Sequence, residues 1–123
     1  MSGELLLVVD DNPINLKLLR LALQVEGYVV RTAVDAEQAL AVLATFRARL
    51  ILMDLQLPGM DGLDLTRRLK ADGCEAIIVA VTAYAMKGDA ERARDSGCDG
   101  YVTKPIDTRT LGAVVARYLA GAR

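Results

Sequence analysis

The chain has 123 residues, 53% hydrophobic and 25% charged, with one Phe and no Trp, so a single domain over residues 1–123 with a core of Leu, Val, Ile, Ala and Met is expected. Its 15 Lys and Arg against 16 Asp and Glu leave a formal net charge of −1, which removes the electrostatic warrant for non-specific binding to nucleic acid or an anionic membrane. There is no His, and Cys74 and Cys98 lack metal-ligand spacing, which excludes a structural zinc site and His-based acid–base catalysis and leaves the thiols as buried small hydrophobes.

The continuous apolar run Leu5-Leu6-Leu7-Val8-Val9 stops at Asp10-Asp11 and predicts a strand buried on both faces, as in a parallel sheet. It is too short for a signal-peptide core or a membrane span, and no basic run precedes it, so a cytoplasmic protein with reduced thiols is expected. Asn12-Pro13 supplies an N-cap and a proline for the first helical position. Ile14, Leu18, Leu21 and Val25 then recur at helical spacing until Gly27, predicting the first helix. Tyr28–Thr32 reads as a second strand, and Asp35 with Gln38 has the form of a capping box opening a short helix through Leu43.

Leu50-Ile51-Leu52-Met53 predicts a third strand that runs directly into Asp54. Leu57–Gly62 is a loop by its Pro and Gly content, and Leu63, Leu65 and Leu69 mark a third helix ending near Gly73. Ala76–Val81 is the fourth strand, ending at Thr82. From about Met86 to Ser96 a charge-rich helix with a thin apolar face is expected, with Gly97 as its C-terminal cap. Tyr101-Val102-Thr103 is a short fifth strand followed by Lys104-Pro105. Asp107 caps a last helix through Leu111, Val114, Val115 and Leu119, ending at Gly121.

Strands alternating with helices require right-handed crossovers and a parallel sheet covered on both faces, a doubly wound α/β sandwich. In such a sheet ligands bind at the carboxyl ends of the strands. That rule selects Asp10 and Asp11 after the first strand, Asp54 after the third, Thr82 after the fourth and Lys104 after the fifth.

Three carboxylates at one edge repel each other, and a hard cation relieves the repulsion. Mg²⁺ suits the set, because it takes oxygen ligands, keeps several waters and uses only one or two protein carboxylates beside phosphate oxygens. Phosphoryl transfer asks a protein for little beyond an in-line nucleophile, a metal and cations for the equatorial oxygens. Asp54, on the central strand, is the natural nucleophile, with the metal on one side and Thr82 and Lys104 on the other. Each residue alone has a plainer explanation: an Asp-Asp pair caps helices, and Lys-Pro after a strand is a turn. Their convergence on one edge carries the reading.

Val8-Val9-Asp10-Asp11-Asn12, Leu52–Gly62, Val81-Thr82-Ala83 and Tyr101-Val102-Thr103-Lys104-Pro105 resemble, in order and at the right strand ends, the signature blocks of the response-regulator receiver family, over nearly the whole chain. The resemblance implies a flavodoxin-like (βα)5 sandwich with strand order 2-1-3-4-5. It implies that Asp54 is the phospho-acceptor, that Asp11, Asp54 and the backbone carbonyl of Gln56 ligate Mg²⁺, that Asp10 acts through metal-bound water, and that Thr82 and Lys104 hold the phosphate oxygens. Thr82 and Tyr101 would form a switch, Pro105 would follow a cis peptide bond, and Ala83 would leave the acceptor pocket open. Gln56 and Tyr84 would flank the attacking water and tune phosphate lifetime.

By the same resemblance the chain catalyses its own phosphorylation and slow autodephosphorylation without being a conventional enzyme. A histidine kinase or histidine phosphotransfer protein is the expected donor. Output is expected through a helix 4/strand 5/helix 5 surface that binds an unnamed protein, with the chain a monomer or weak dimer and neither nucleic acid nor membrane a direct partner. Only Gly121-Ala122-Arg123 follow the last helix, so no output domain is expected. The Asp10–Asn15 opening equally resembles a receiver domain excised from a hybrid histidine kinase. A haloacid-dehalogenase-type phosphatase expects an Asp where Gln56 stands, and a nucleotide-binding flavodoxin-like module expects a Gly-rich loop after the first strand. A pseudo-receiver does not need the full acceptor set.

Overall fold

Three of the runs, at Leu5–Val9, Leu50–Asp54 and Ile77–Thr82, become central strands because they are apolar on both alternating faces, while Val29–Ala33 and Gly100–Thr103, with Arg31, Thr32 and Thr103 among them, form the edges. The computed structural model describes residues 3–57, 59–82, 89–104 and 106–121. In chain order these form β1 (Leu5–Val9), α1 (Pro13–Val25), β2 (Val29–Ala33), α2 (Ala36–Leu43), β3 (Leu50–Asp54), α3 (Gly62–Ala71), β4 (Ile77–Thr82), α4 (Asp89–Asp95), β5 (Gly100–Thr103) and α5 (Leu111–Ala120). The sheet is parallel throughout, in the order β2-β1-β3-β4-β5. This is the doubly wound, flavodoxin-like architecture expected from the sequence, with most strand bounds moved by one residue.

Period-two alternation divides the core. Leu6, Val8, Leu50, Leu52, Val79 and Val81 face α1 and α5, where Leu16, Leu19, Leu23, Leu111 and Val115 meet them. Leu7, Val9, Ile51, Met53, Ile78 and Ala80 face the other way, onto Ala36 and Ala39 of α2, Leu63, Leu65 and Leu69 of α3 and Ala93 of α4. Each fully buried Leu or Ile stabilises the fold by roughly 1.5–3 kcal/mol relative to exposure. Burying β1, β3 and β4 on both faces therefore anchors the central strands, and with them the carboxyl edge.

The helix ends follow local chemistry. Asn12 caps α1 by accepting hydrogen bonds from Ile14 N at 2.9 Å and Asn15 N at 3.3 Å, with Pro13 at the first helical position. Asp35 caps α2 by accepting from Gln38 N at 2.8 Å, and the Gln38 side chain returns to Val34 N at 3.0 Å, completing the box one residue earlier than the simple motif. Gly97 ends α4 with φ 102, a conformation L side chains resist. Cys74 and Cys98 are free. Cys98 is buried, and burial holds its thiol pKa above the ordinary range.

The predicted first helix is present, but packing chooses its buried face, and the expected cap of the last helix needs correction. The stripe Ile14, Leu18, Leu21 and Val25 is not the face of α1 that meets the sheet: these residues are 71%, 52%, 45% and 83% exposed, while Leu16, Leu19 and Leu23 are buried. The helix carries two apolar stripes, and packing selects the other one. Asp107 does not cap α5; it accepts from Arg109 N at 2.9 Å in a turn, and Thr110, the residue before the helix, makes no side-chain capping bond. The expected start of the fourth helix at Met86 lies outside the described residues. No helix among the described residues is long and apolar enough to cross a membrane.

Candidate functional site

Parallel pairing brings the chosen residues together. Val9 pairs with Met53 across β1 and β3, so Asp10 and Asp54 emerge side by side. Asp54 pairs with Val81 on β4, which places Thr82 one step beyond it. The Lys104 N–H donates to the Thr82 carbonyl at 2.7 Å, drawing the end of β5 to the same edge.

The side chains converge as well. Lys104 Nζ lies 3.0 Å from Asp54 Oδ2 and 3.7 Å from Asp10 Oδ2. One carboxylate oxygen from each of Asp10, Asp11 and Asp54 falls within 4.8 Å of the others. Asp10 and Asp54 are each only 2% exposed, whereas Asp11 is exposed. Each buried carboxylate spends one oxygen on the chain that follows it: Asp10 Oδ1 accepts from Asn12 N, and Asp54 Oδ1 accepts from Gln56 N, both at 2.9 Å. The other oxygen of each faces Lys104.

The electrostatics follow from this crowding. Burial raises the Asp10 pKa above its ordinary value; the Asn12 N–H opposes the rise, the Asp54 charge adds to it, Lys104 opposes and Asp11 adds. For Lys104, burial works to lower the pKa, but the hydrogen bond and charge of Asp54 and the charges of Asp10 and Asp11 outweigh it and hold the ammonium above the ordinary lysine value. One lysine against three carboxylates leaves the cluster net negative when all are ionised. An all-oxygen donor set with uncompensated negative charge is what a hard divalent cation requires, so these residues fit a Mg²⁺-type ion.

Thr82 is buried at the end of β4, Gln56 is exposed beside Asp54, and Tyr101 on β5 is 42% exposed. Pro105, Ala83 and Tyr84 lie outside the described residues. The sequence reading missed the wall that faces the cluster: a cavity of about 480 Å³ bounded by Asp10, Lys104, Asn15, Leu18, Leu19 and Ile106. Its signal was available in the double apolar stripe of α1, which one sheet face cannot absorb whole. A second groove runs along β5 and α5 past Tyr101, Thr103, Asp107 and Val114.

Comparison with known proteins bears on this edge. The family profile described as the response regulator receiver domain matches residues 6–116. The polar-differentiation response regulator DivK of Brucella anthropi is 40% identical over 118 residues, covering 94% of this chain and 96% of that protein. A CheY-like response regulator receiver domain from Methanospirillum hungatei superimposes with a TM-score of 0.90 at 29% identity, covering 98% of this chain and 97% of that one. The signal receiver domain of a signal transduction histidine kinase from Syntrophus aciditrophicus gives 0.86 at 30% identity, covering 97% and 92%.

Proposed function

Since the chain belongs to the response regulator receiver domain family, we propose that residues 1–123 form one receiver domain in which Asp54 accepts a phosphoryl group from a histidine kinase or histidine phosphotransfer protein. A carboxylate oxygen of Asp54 attacks phosphorus, the phosphorus–nitrogen bond of the donor phosphohistidine breaks, and the imidazole leaves with the electron pair and takes up a proton. Lys104, already 3.0 Å from Asp54 Oδ2, exchanges that contact for the charge on the transferred group. The Thr82 hydroxyl takes a second phosphoryl oxygen.

Asp11, Asp54 and the Gln56 carbonyl would hold Mg²⁺ directly, and Asp10 through water. When bound, the ion supplies positive charge to the phosphoryl oxygens and offsets the mutual repulsion of the carboxylates. Asp10 and Asp54 keep their backbone hydrogen bonds to Asn12 and Gln56, which fix the orientation of both carboxylates before any ligand arrives. The observation that carries the reading is the buried Asp54, with one oxygen held by its own loop and the other aimed at Lys104 among carboxylates.

The donor docks on α1, where exposed Leu18 also walls the cavity that Asp10 and Lys104 line; a helix carrying the phosphohistidine would cover the stripe and present its phosphorus to Asp54. Output runs through the α4, β5 and α5 face, with Thr82 and the exposed Tyr101 as the switch that phosphate biases. A cytoplasmic monomer or weak dimer fits this role. Likeness to response regulators of which this chain covers 96% does not favour the alternative origin within a hybrid histidine kinase.

The test is direct. Incubated with phosphoramidate and Mg²⁺, the protein is expected to gain one acid-stable, base-labile phosphoryl group by intact mass, and Asp54→Asn to gain none. Equal labelling of the two, or no label on the wild type, refutes the reading.

A further inference from the structure

The structure assigns Gly62 a positioning role in the acceptor site: it is the space against which the backbone of Asp54 and Leu55 is seated. The inference rests on the phosphoacceptor reading of Asp54. Gly62 is the first residue of α3 and is buried. Its N–H donates to the Leu55 carbonyl at 3.2 Å, and its own carbonyl accepts from Thr66 Oγ1 at 2.8 Å. Thr66 is fully buried, so this pin is not shared with bulk water. A Cβ on Gly62 would overlap the Asp54 carbonyl oxygen and lie 2.8 Å from Leu55 Cα. These are backbone atoms at the end of β3 and just past it, and no rotamer change relieves the overlap.

A plainer account is that glycine simply begins a helix. One observation weighs against it, and one propensity separates the two accounts. Gly62 is not among the residues with positive φ, so its backbone conformation is open to any residue and the requirement is for space. On helix propensity alone Ala is preferred to Gly by up to about 1 kcal/mol, so the plainer account expects Gly62→Ala to be neutral or stabilising.

The contact instead sets the stretch Asp54-Leu55-Gln56 between two fixed bodies. On one side Leu55 N donates to Val81 O at 3.0 Å. On the other α3 is held by the Asp61 cap and by buried Leu63, Leu65 and Leu69. A methyl group wedged between them must move the Asp54 carbonyl or the start of α3. Gln56 travels with the first, because its N–H is held on Asp54 Oδ1. An ion that demands near-ideal octahedral geometry tolerates such a shift of its ligands poorly.

The test compares Gly62→Ala with Gly73→Ala. Gly73, at the other end of α3, has φ 84 and open space around a Cβ, so its substitution strains the same helix without touching Asp54. Mn²⁺ binding by electron paramagnetic resonance, the maximal rate of labelling by phosphoramidate, and thermal unfolding are measured on each. Gly62→Ala is expected to bind Mn²⁺ about tenfold more weakly and to label on the order of 10–100-fold more slowly while still melting cooperatively. Gly73→Ala should melt earlier yet bind Mn²⁺ as the wild type does.

Should Gly62→Ala not fold, Thr66→Val, which removes the pin at nearly constant shape, is expected to weaken Mn²⁺ binding severalfold. Wild-type Mn²⁺ affinity and labelling in Gly62→Ala, equal losses in Gly62→Ala and Gly73→Ala, or an unaltered Thr66→Val where Gly62→Ala does not fold, overturns the inference alone. A wild type that takes no label overturns the acceptor reading and this inference with it.

Discussion

Asp10 shows at the level of one residue how a site opposes the fold that carries it. Burial and the neighbouring Asp54 favour its protonated form, raising its pKa from the ordinary 3.8. A carboxyl raised in the folded state contributes stability that is fully present below the unfolded value and is lost as pH rises through the folded one. At neutral pH the ionised group therefore works against folding. Asp10→Asn keeps an oxygen for the Asn12 N–H and removes the charge. It is expected to stabilise the metal-free protein at pH 7 by roughly 1 kcal/mol, a few degrees in Tm, with the gain fading as pH falls towards 4 and shrinking when Mg²⁺ is added. Thermal melts across pH, with and without the ion, check this; a variant less stable than wild type at pH 7 would show that the carboxylate is compensated in the fold.

At the level of the element, α1 shows what periodicity leaves undecided. Its apolar residues satisfy two helical stripes, Ile14–Leu18–Leu21–Val25 and Leu16–Leu19–Leu23, and the burial pattern separates them completely. Truncation of the second set is a core deletion: Leu23→Ala, at 0% exposure, is expected to cost about 2–5 kcal/mol. Charge placed in the first set should cost little stability. The double variant Leu18→Glu, Leu21→Glu is expected to fold and to be labelled by phosphoramidate as before, but to accept phosphate from a phosphotransfer protein at least about tenfold more slowly, as loss of one or two apolar anchors implies. Transfer at the wild-type rate would remove α1 as the donor's dock. α5 teaches a smaller lesson of the same kind, since Asp107 has the right chemistry for a cap and spends it on the preceding turn.

At the level of the whole molecule the sheet has to close at β5, its shortest strand. The parallel ladder to β4 and the Asp99 N–H, which donates to the Ile78 carbonyl at 2.7 Å, join it to the sheet, and a side chain reinforces the junction: Asp99 Oδ2 accepts from Ile78 N at 2.8 Å and from Lys70 Nζ at 3.1 Å, tying the start of β4, the end of α3 and the approach to β5. The two bonds differ in worth. Asp99→Ala leaves the Ile78 N–H without its acceptor and is expected to cost roughly 1–3 kcal/mol. Asp99→Asn keeps an acceptor and loses a half-exposed ion pair, worth at most about 1 kcal/mol. Denaturant unfolding of the two variants side by side checks the ordering, and a reversed order would place the stabilisation in the charge.

Most of this protein was legible in its sequence. Continuous apolar runs of four to six residues between helical periodicities permit a parallel, doubly wound sheet, and the carboxyl-edge rule applied to the sequence alone selects Asp10, Asp11, Asp54, Thr82 and Lys104. Runs and caps are local, and local chemistry suffices to find them. What stood beyond reach depends on which surfaces meet: the buried stripe of α1, the cavity it leaves beside Lys104, the side-chain bond from Asp99 to Ile78, and the close seat of the Asp54 carbonyl against Gly62. A sequence states which faces are apolar and which residue is small. Only packing in three dimensions decides which face is covered and what fills the space beside a glycine.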